Sequence, residues 1–141
     1  MPGLRWRAVL RGRKAIPPKR APLVVKQVIW AANKTVHKPY RYGGGHGDGG
    51  RNGFDCSGAV SFAMMRAGLV SSPLSSGSWK SWGKAGHGRW ITIYSSDGHM
   101  FMTVRGLRFD TAGYGGGGDG PRWRPVPRPK NGFSARKTRG I

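Results

Sequence analysis

The apolar positions change period along the chain, and the change divides it. From Pro22 the pattern is helical: Val25, Ile29, Ala32 and Val36 recur at a 4-3-4 spacing, Pro22 suits a first turn, and Pro39 stops the run. A second helical stripe, Val60, Ala63, Met64 and Ala67, follows Asp55, a good N-cap residue, and ends at Gly68. Beyond a Ser-, Gly- and Trp-rich loop at 71–88, the period shortens to two. Three strand-like runs at 89–95, 99–104 and 107–111 are separated by Ser96-Asp97-Gly98 and by Arg105-Gly106, which predicts an antiparallel meander. Helices first and an antiparallel sheet afterwards make an α+β fold.

Two stretches carry no apolar period. Residues 43–53 (GGGHGDGGRNG) read as a glycine-rich loop on the rim of the fold. They lack the Gly-Lys-Ser/Thr ending of a phosphate-binding loop. Residues 1–21 form a basic, Pro-containing arm anchored by Trp6, and 114–141 a Gly/Pro/Arg-rich segment with Trp123 and Phe133 as docking points. The division is therefore a 1–21 arm, a 22–113 domain and a 114–141 segment docked on or flanking it. Of the other tryptophans, Trp30 and Trp90 are expected in the core or at its edge, and Trp79 and Trp82 in packing or along a groove.

Composition narrows the chemistry. The chain has 141 residues, 25 Lys and Arg against 5 acidic residues, and a net charge of +20. All five acids are Asp (48, 55, 97, 110 and 119), so a paired-Glu hydrolytic site is excluded. Such charge favours a polyanionic partner: nucleic acid, an anionic membrane surface, or an acidic polymer such as bacterial cell wall. No stretch reaches the ~18 apolar residues of a membrane span. The basic start is not followed by the apolar core of a signal peptide. A single cysteine, Cys56, makes no internal disulfide, and any thiol chemistry falls on it.

Cys56 sits in GFDCSG (53–58). If Asp55 caps the helix, Cys56 lies in its first turn, where unpaired N–H groups and the helix dipole favour a thiolate. Position alone leaves two readings open, nucleophile or small buried apolar residue. A base decides between them. His37 ends a basic helix, and His46 and His87 lie in glycine-rich loops without metal-ligand spacing. His99 opens a strand. With Arg105-Gly106 as a two-residue turn, Val104 pairs with Leu107, Phe101 with Asp110 and His99 with Ala112. His99 and Asp110 then become diagonal neighbours on one face, ~7–8 Å apart at the backbone. That suits an acid orienting an imidazole. A one-residue slip would separate them, and Asp110 has Arg105 and Arg108 as competing partners.

The runs PYRYGG (39–44), GFDCSG (53–58), GHMFMTV (98–104) and RFDTAG (108–113) resemble the NlpC-type cell-wall cysteine peptidases. The resemblance covers about residues 22–113. It implies a papain-like α+β fold, helices packed on an antiparallel meander with the nucleophile at a helix N-terminus. It implies Cys56 as nucleophile, His99 as general base and Asp110 as third polar residue, where the family often has a second His. Tyr40 matches a tyrosine whose hydroxyl helps form the site and its oxyanion hole, with the Cys56 N–H as second donor. The implied activity is cleavage of an amide in the peptidoglycan stem peptide, the D-γ-glutamyl–diamino acid bond, at the bacterial cell wall. It needs no cofactor or metal and a monomer suffices; the partner is peptidoglycan, with or without anionic wall polymers. Cell-wall amidase or acyltransferase chemistry on the same residues is an alternative. So is a nucleic-acid-binding module made of the basic arms and Trp6, Trp123 and Phe133, although no specific nucleic-acid motif is present.

Overall fold

The structure, a computed structural model, describes residues 3–112 and 118–141. Its elements run α1 (Gly3–Trp6), β1 (Val9–Arg11), β2 (Lys14–Ile16), α2 (Leu23–Asn33), α3 (Cys56–Arg66), α4 (Ser76–Trp79), β3 (Lys84–Ala85), β4 (Ile91–Ser95), β5 (Met100–Val104), β6 (Leu107–Ala112), β7 (Gly118–Arg124) and β8 (Ser134–Lys137). Helix α3 begins where its cap dictates. Asp55 is extended (φ −88°, ψ −176°) and its carboxylate accepts the Gly58 N–H at 2.7 Å. The helix buries Val60, Ala63 and Met64, and Gly68 follows its end at φ +76°.

Helix α2 buries Val25, Val28, Ile29, Ala31 and Ala32 against α3. It stops at Asn33, six residues before Pro39. The Thr35 hydroxyl donates to the Ala32 carbonyl at 2.8 Å and so takes a helical acceptor. Val36 stays buried from the turn that follows, which is why the apolar period outlasts the helix. Trp30 departs from expectation: it is 48% exposed, on the face of α2 turned away from Val28 and Ile29.

The main sheet has the order β3-β8-β4-β5-β6-β7, and its pairs are antiparallel. Arg105 (φ +42°) and Gly106 (φ +100°) make the two-residue turn with both central φ positive, and Val104 pairs with Leu107. Met102 pairs with Phe109 and Thr103 with Arg108, so the register is the expected one. Met100, Met102, Val104, Leu107 and Phe109 bury one face of the hairpin in the helix-backed core. On the other face, Phe101 stacks on Tyr94 (5.1 Å) and takes the edge of Phe133 (5.2 Å).

The flanks belong to this architecture. Residues 118–137 supply β7 on the β6 edge and β8 between β3 and β4. Residues 9–16 form the β1–β2 hairpin, and the Ala8 N–H donates to the Arg105 carbonyl (2.9 Å) while Trp6 stacks on Trp90 (6.0 Å). Asn33 ties both flanks to α2: it exchanges two hydrogen bonds with Ala15 and accepts the indole N–H of buried Trp123 at 2.8 Å. The 71–88 loop contains the single turn α4, capped by Ser75, and the two-residue β3. Trp79 is fully buried there, edge-on to Trp82.

Candidate active site

Cys56 is the first residue of α3 and is half-buried. It lies in the wall of a cleft of about 460 Å³ with Tyr40, His46, Ser57, Ser75 and Asp97. A helix N-terminus presents free backbone N–H groups and a partial positive charge, which favours an anion forming beside the sulfur. The approach is kept close by glycine. A Cβ on Gly58 would stand 1.9 Å from the Gly44 carbonyl oxygen, so the loop before α3 lies directly on its first turn.

His99 and Asp110 are in contact. The His99 Nε2 is 2.7 Å from Asp110 Oδ1, and the carboxylate is fully buried. The ring nitrogen left to face the thiol is Nδ1. Burial opposes charge on His99, but hydrogen bonding and charge interaction with Asp110 and with Cys56 outweigh it, lifting its pKa to about 9. Burial likewise opposes ionisation of Asp110. The hydrogen bond and charge of His99, the Ala112 N–H and Arg128 overcome it, and its pKa is lowered.

Asp110 does not choose between histidine and arginine, as the sequence left open; it takes both. Its Oδ1 accepts His99 and the Ala112 N–H (3.1 Å), while Oδ2 accepts Arg108 (2.5 Å) and Arg128 (3.0 Å). Arg128 comes from the segment between β7 and β8. Its guanidinium lies 5.3 Å over Phe101 and 5.5 Å over Phe133, and Phe133 meets the His99 ring edge-on. The C-terminal segment thus closes the back of the site.

Tyr40 is held beside α3 by a parallel bridge to Phe54, with Phe54 N–H donating to Pro39 and Arg41 N–H to Phe54. Burial first, then the charges of Cys56, Asp55 and Tyr42, raise its pKa, so its hydroxyl keeps the proton it would donate. The structure therefore brings Tyr40 to the Cys56 cleft, and His99 to Asp110.

One neighbour of the thiol escaped sequence reasoning. His46 Nε2 is 2.9 Å from Asp55 Oδ1 and 2.8 Å from the Ser57 hydroxyl, on the same cleft wall. Asp55 Oδ2 also accepts the Gly43 N–H (3.1 Å), so one carboxylate caps the helix and fastens the glycine-rich loop. His37 is exposed, and His87 sits against the Tyr94 ring at 5.9 Å. Among the described residues no three His, Cys, Asp or Glu are grouped to hold a metal ion, and no helix is long and apolar enough to cross a membrane.

A cysteine at the start of a capped helix, set against an antiparallel sheet that carries a His–Asp pair, defines the papain-like class of α+β folds. No protein-family model matches the sequence, and a search of curated proteins finds no significant match. Solved structures do match. RipB of Mycobacterium tuberculosis, a peptidoglycan hydrolase, is 27% identical over 89% of this chain and 69% of its own, with a TM-score of 0.61. RipD of the same organism, described as a non-catalytic NlpC/p60 domain protein adapted to peptidoglycan binding, is 21% identical over 83% of this chain and 98% of its own (TM-score 0.58). A third, the hypothetical invasion protein Rv1477, is 22% identical over 92% of this chain and 71% of its own (TM-score 0.58). The chain has the NlpC/p60 fold, the type its motifs resemble.

Proposed function

We propose that the chain is a peptidoglycan hydrolase, a cysteine endopeptidase that cleaves the D-γ-glutamyl–diamino acid bond of the stem peptide at the bacterial cell wall. A fold shared with both a hydrolase and a non-catalytic protein does not decide activity; side chains do. The observation that carries the reading is the His99–Asp110 hydrogen bond at 2.7 Å, on a histidine whose pKa is raised in part by Cys56.

His99 Nδ1 takes the thiol proton and Cys56 Sγ attacks the scissile carbonyl, forming a C–S bond. The oxyanion is met by the Cys56 N–H and the Tyr40 hydroxyl. The protonated His99 then gives its proton to the leaving amine as the C–N bond breaks, and water releases the acyl-enzyme, its proton returning through His99. Asp110 holds Nε2 and balances the imidazolium throughout.

Digestion of purified peptidoglycan by wild type and by Cys56→Ala, with fragments identified by mass, tests this. The expected result is new γ-glutamyl carboxyl and diamino-acid amino ends with wild type alone. Intact wall with both proteins, together with no labelling of Cys56 by a thiol probe, sinks the proposal. Intact wall that nevertheless retains the protein in a sedimentation assay favours the binding role described for RipD.

A further inference from the structure

The cleft that holds Cys56 is lined from two stretches of chain, one between residues 40 and 57 and one between 75 and 98. Asp97 is the charged residue of the second stretch. Backbone holds it in place while its side chain stays in water. The Ser76 hydroxyl, in α4, donates to the Asp97 carbonyl at 3.0 Å. The Ser96 N–H donates to the His99 carbonyl at 2.8 Å and closes the turn between β4 and β5. At the tip of that turn the Asp97 side chain is 84% exposed. Its Oδ1 accepts the ammonium of Lys80, the C-cap of α4, at 2.9 Å, and its Oδ2 accepts no hydrogen bond among the described residues. An exposed ion pair adds little to stability, so the two side chains lose little when they take other partners.

Position decides what this pair can meet. His99 lies two residues beyond Asp97 and, as proposed above, gives its proton to the leaving amine. The amino acid that owns this amine therefore comes to rest beside Gly98 and Asp97. A Cβ added at Gly98 would have nothing within 4 Å, so the space there is open. The chain carries +20 overall, yet at this point it presents a carboxylate and an ammonium side by side. A ligand bearing a lone ammonium satisfies Asp97 and is repelled by Lys80. A side chain that ends in an ammonium and a carboxylate on one carbon pairs with both.

We propose that Asp97 and Lys80 are specificity-determining residues that read the far end of the diamino acid, selecting a side chain that ends in an ammonium and a carboxylate over one that ends in an ammonium alone. The inference takes its substrate from the hydrolase reading. N-acetyl-L-alanyl-γ-D-glutamyl peptides whose third residue is meso-2,6-diaminopimelate, L-lysine or uncharged L-norleucine are compared by kcat/KM. Wild type is expected to prefer the diaminopimelate peptide to both others. Asp97→Asn and Lys80→Met each lower its advantage over norleucine about five- to tenfold. Lys80→Met also raises the lysine-to-norleucine ratio, because the repelling charge is gone. Equal cleavage of the three peptides by wild type overturns the proposal, as does an even loss on all three in both variants, which marks a structural role. If wild type cleaves none of them, the hydrolase reading fails and calorimetry judges the pair. Tighter binding of the diaminopimelate peptide, lost in both variants, then upholds the proposal, and equal or absent binding overturns it.

Discussion

Two His–Asp pairs flank Cys56, and they are built differently. His99–Asp110 joins neighbouring strands, its carboxylate fully buried and shared with two arginines. His46–Asp55 joins a glycine-rich loop to a helix start, and its carboxylate serves local fastening: the N–H groups of Gly58 and Gly43 and the Ser57 hydroxyl. The hydrogen bonds are alike, 2.7 and 2.9 Å, so the bond itself does not mark a catalytic pair. What separates them is the support. Asp110 sits on the sheet, out of water, where its charge acts on one imidazole with little solvent screening and is tempered by Arg108 and Arg128. Asp55 is a structural clamp, and His46 is one of the things it clamps.

The largest effects test that division. His99→Ala is expected to cut wall hydrolysis by ~10²–10⁴-fold, the range of a lost acid–base group, while His46→Ala stays within about tenfold. Equal losses, measured as release of soluble fragments, would erase the distinction. Asp110→Asn is expected to lower turnover by about 10²-fold or more and to move the His99 titration, followed by NMR, down from about 9 towards 6.5. An unmoved midpoint would mean that another group sets it.

Stability gives the next two. Asp55→Ala removes a helix cap and a loop clamp, at a cost of about 1–2 kcal/mol in denaturant unfolding, with Asp55→Asn recovering part of it. His99 binds its proton more tightly folded than unfolded, since its pKa rises from 6.5 to about 9. Its stabilising contribution is complete below about pH 6.5 and is lost as pH climbs through about 9. Wild type should therefore lose stability across that window relative to Asp110→Asn; parallel curves would show that the pair contributes nothing. The smallest effect belongs to Arg128→Gln. Freed of one cation, Asp110 pulls harder on His99 and its midpoint rises, with Arg128→Lys restoring it; lower turnover at an unchanged midpoint would reduce Arg128 to packing.

Sequence and structure agree where the signals are local. Asp55 before an apolar stripe announces a capped helix, and Arg105-Gly106 between alternating runs fixes a register that carries His99 to Asp110. The flanks were harder. β7 reads GDGPRWR and β8 SARK, with no apolar alternation, because backbone pairing to existing strands defines them rather than side chains. Arg128 was invisible for the same reason: its partner lies 18 residues away across a Pro-rich segment. His46 lies in a glycine-rich loop without metal-ligand spacing and so carries no sequence signal of its own, although the capping carboxylate nine residues on is a legible place for such a loop to attach.

The glycines of that loop also divide the cleft rim for an engineer. A side chain at Gly44 would meet the Gly53 carbonyl at 2.3 Å, and one at Gly58 the Gly44 carbonyl at 1.9 Å, so these positions reject every replacement. Gly47 has nothing within 4 Å of an added Cβ. A library meant to retune which substrate the rim admits should diversify position 47, leaving the hinge between loop and helix untouched.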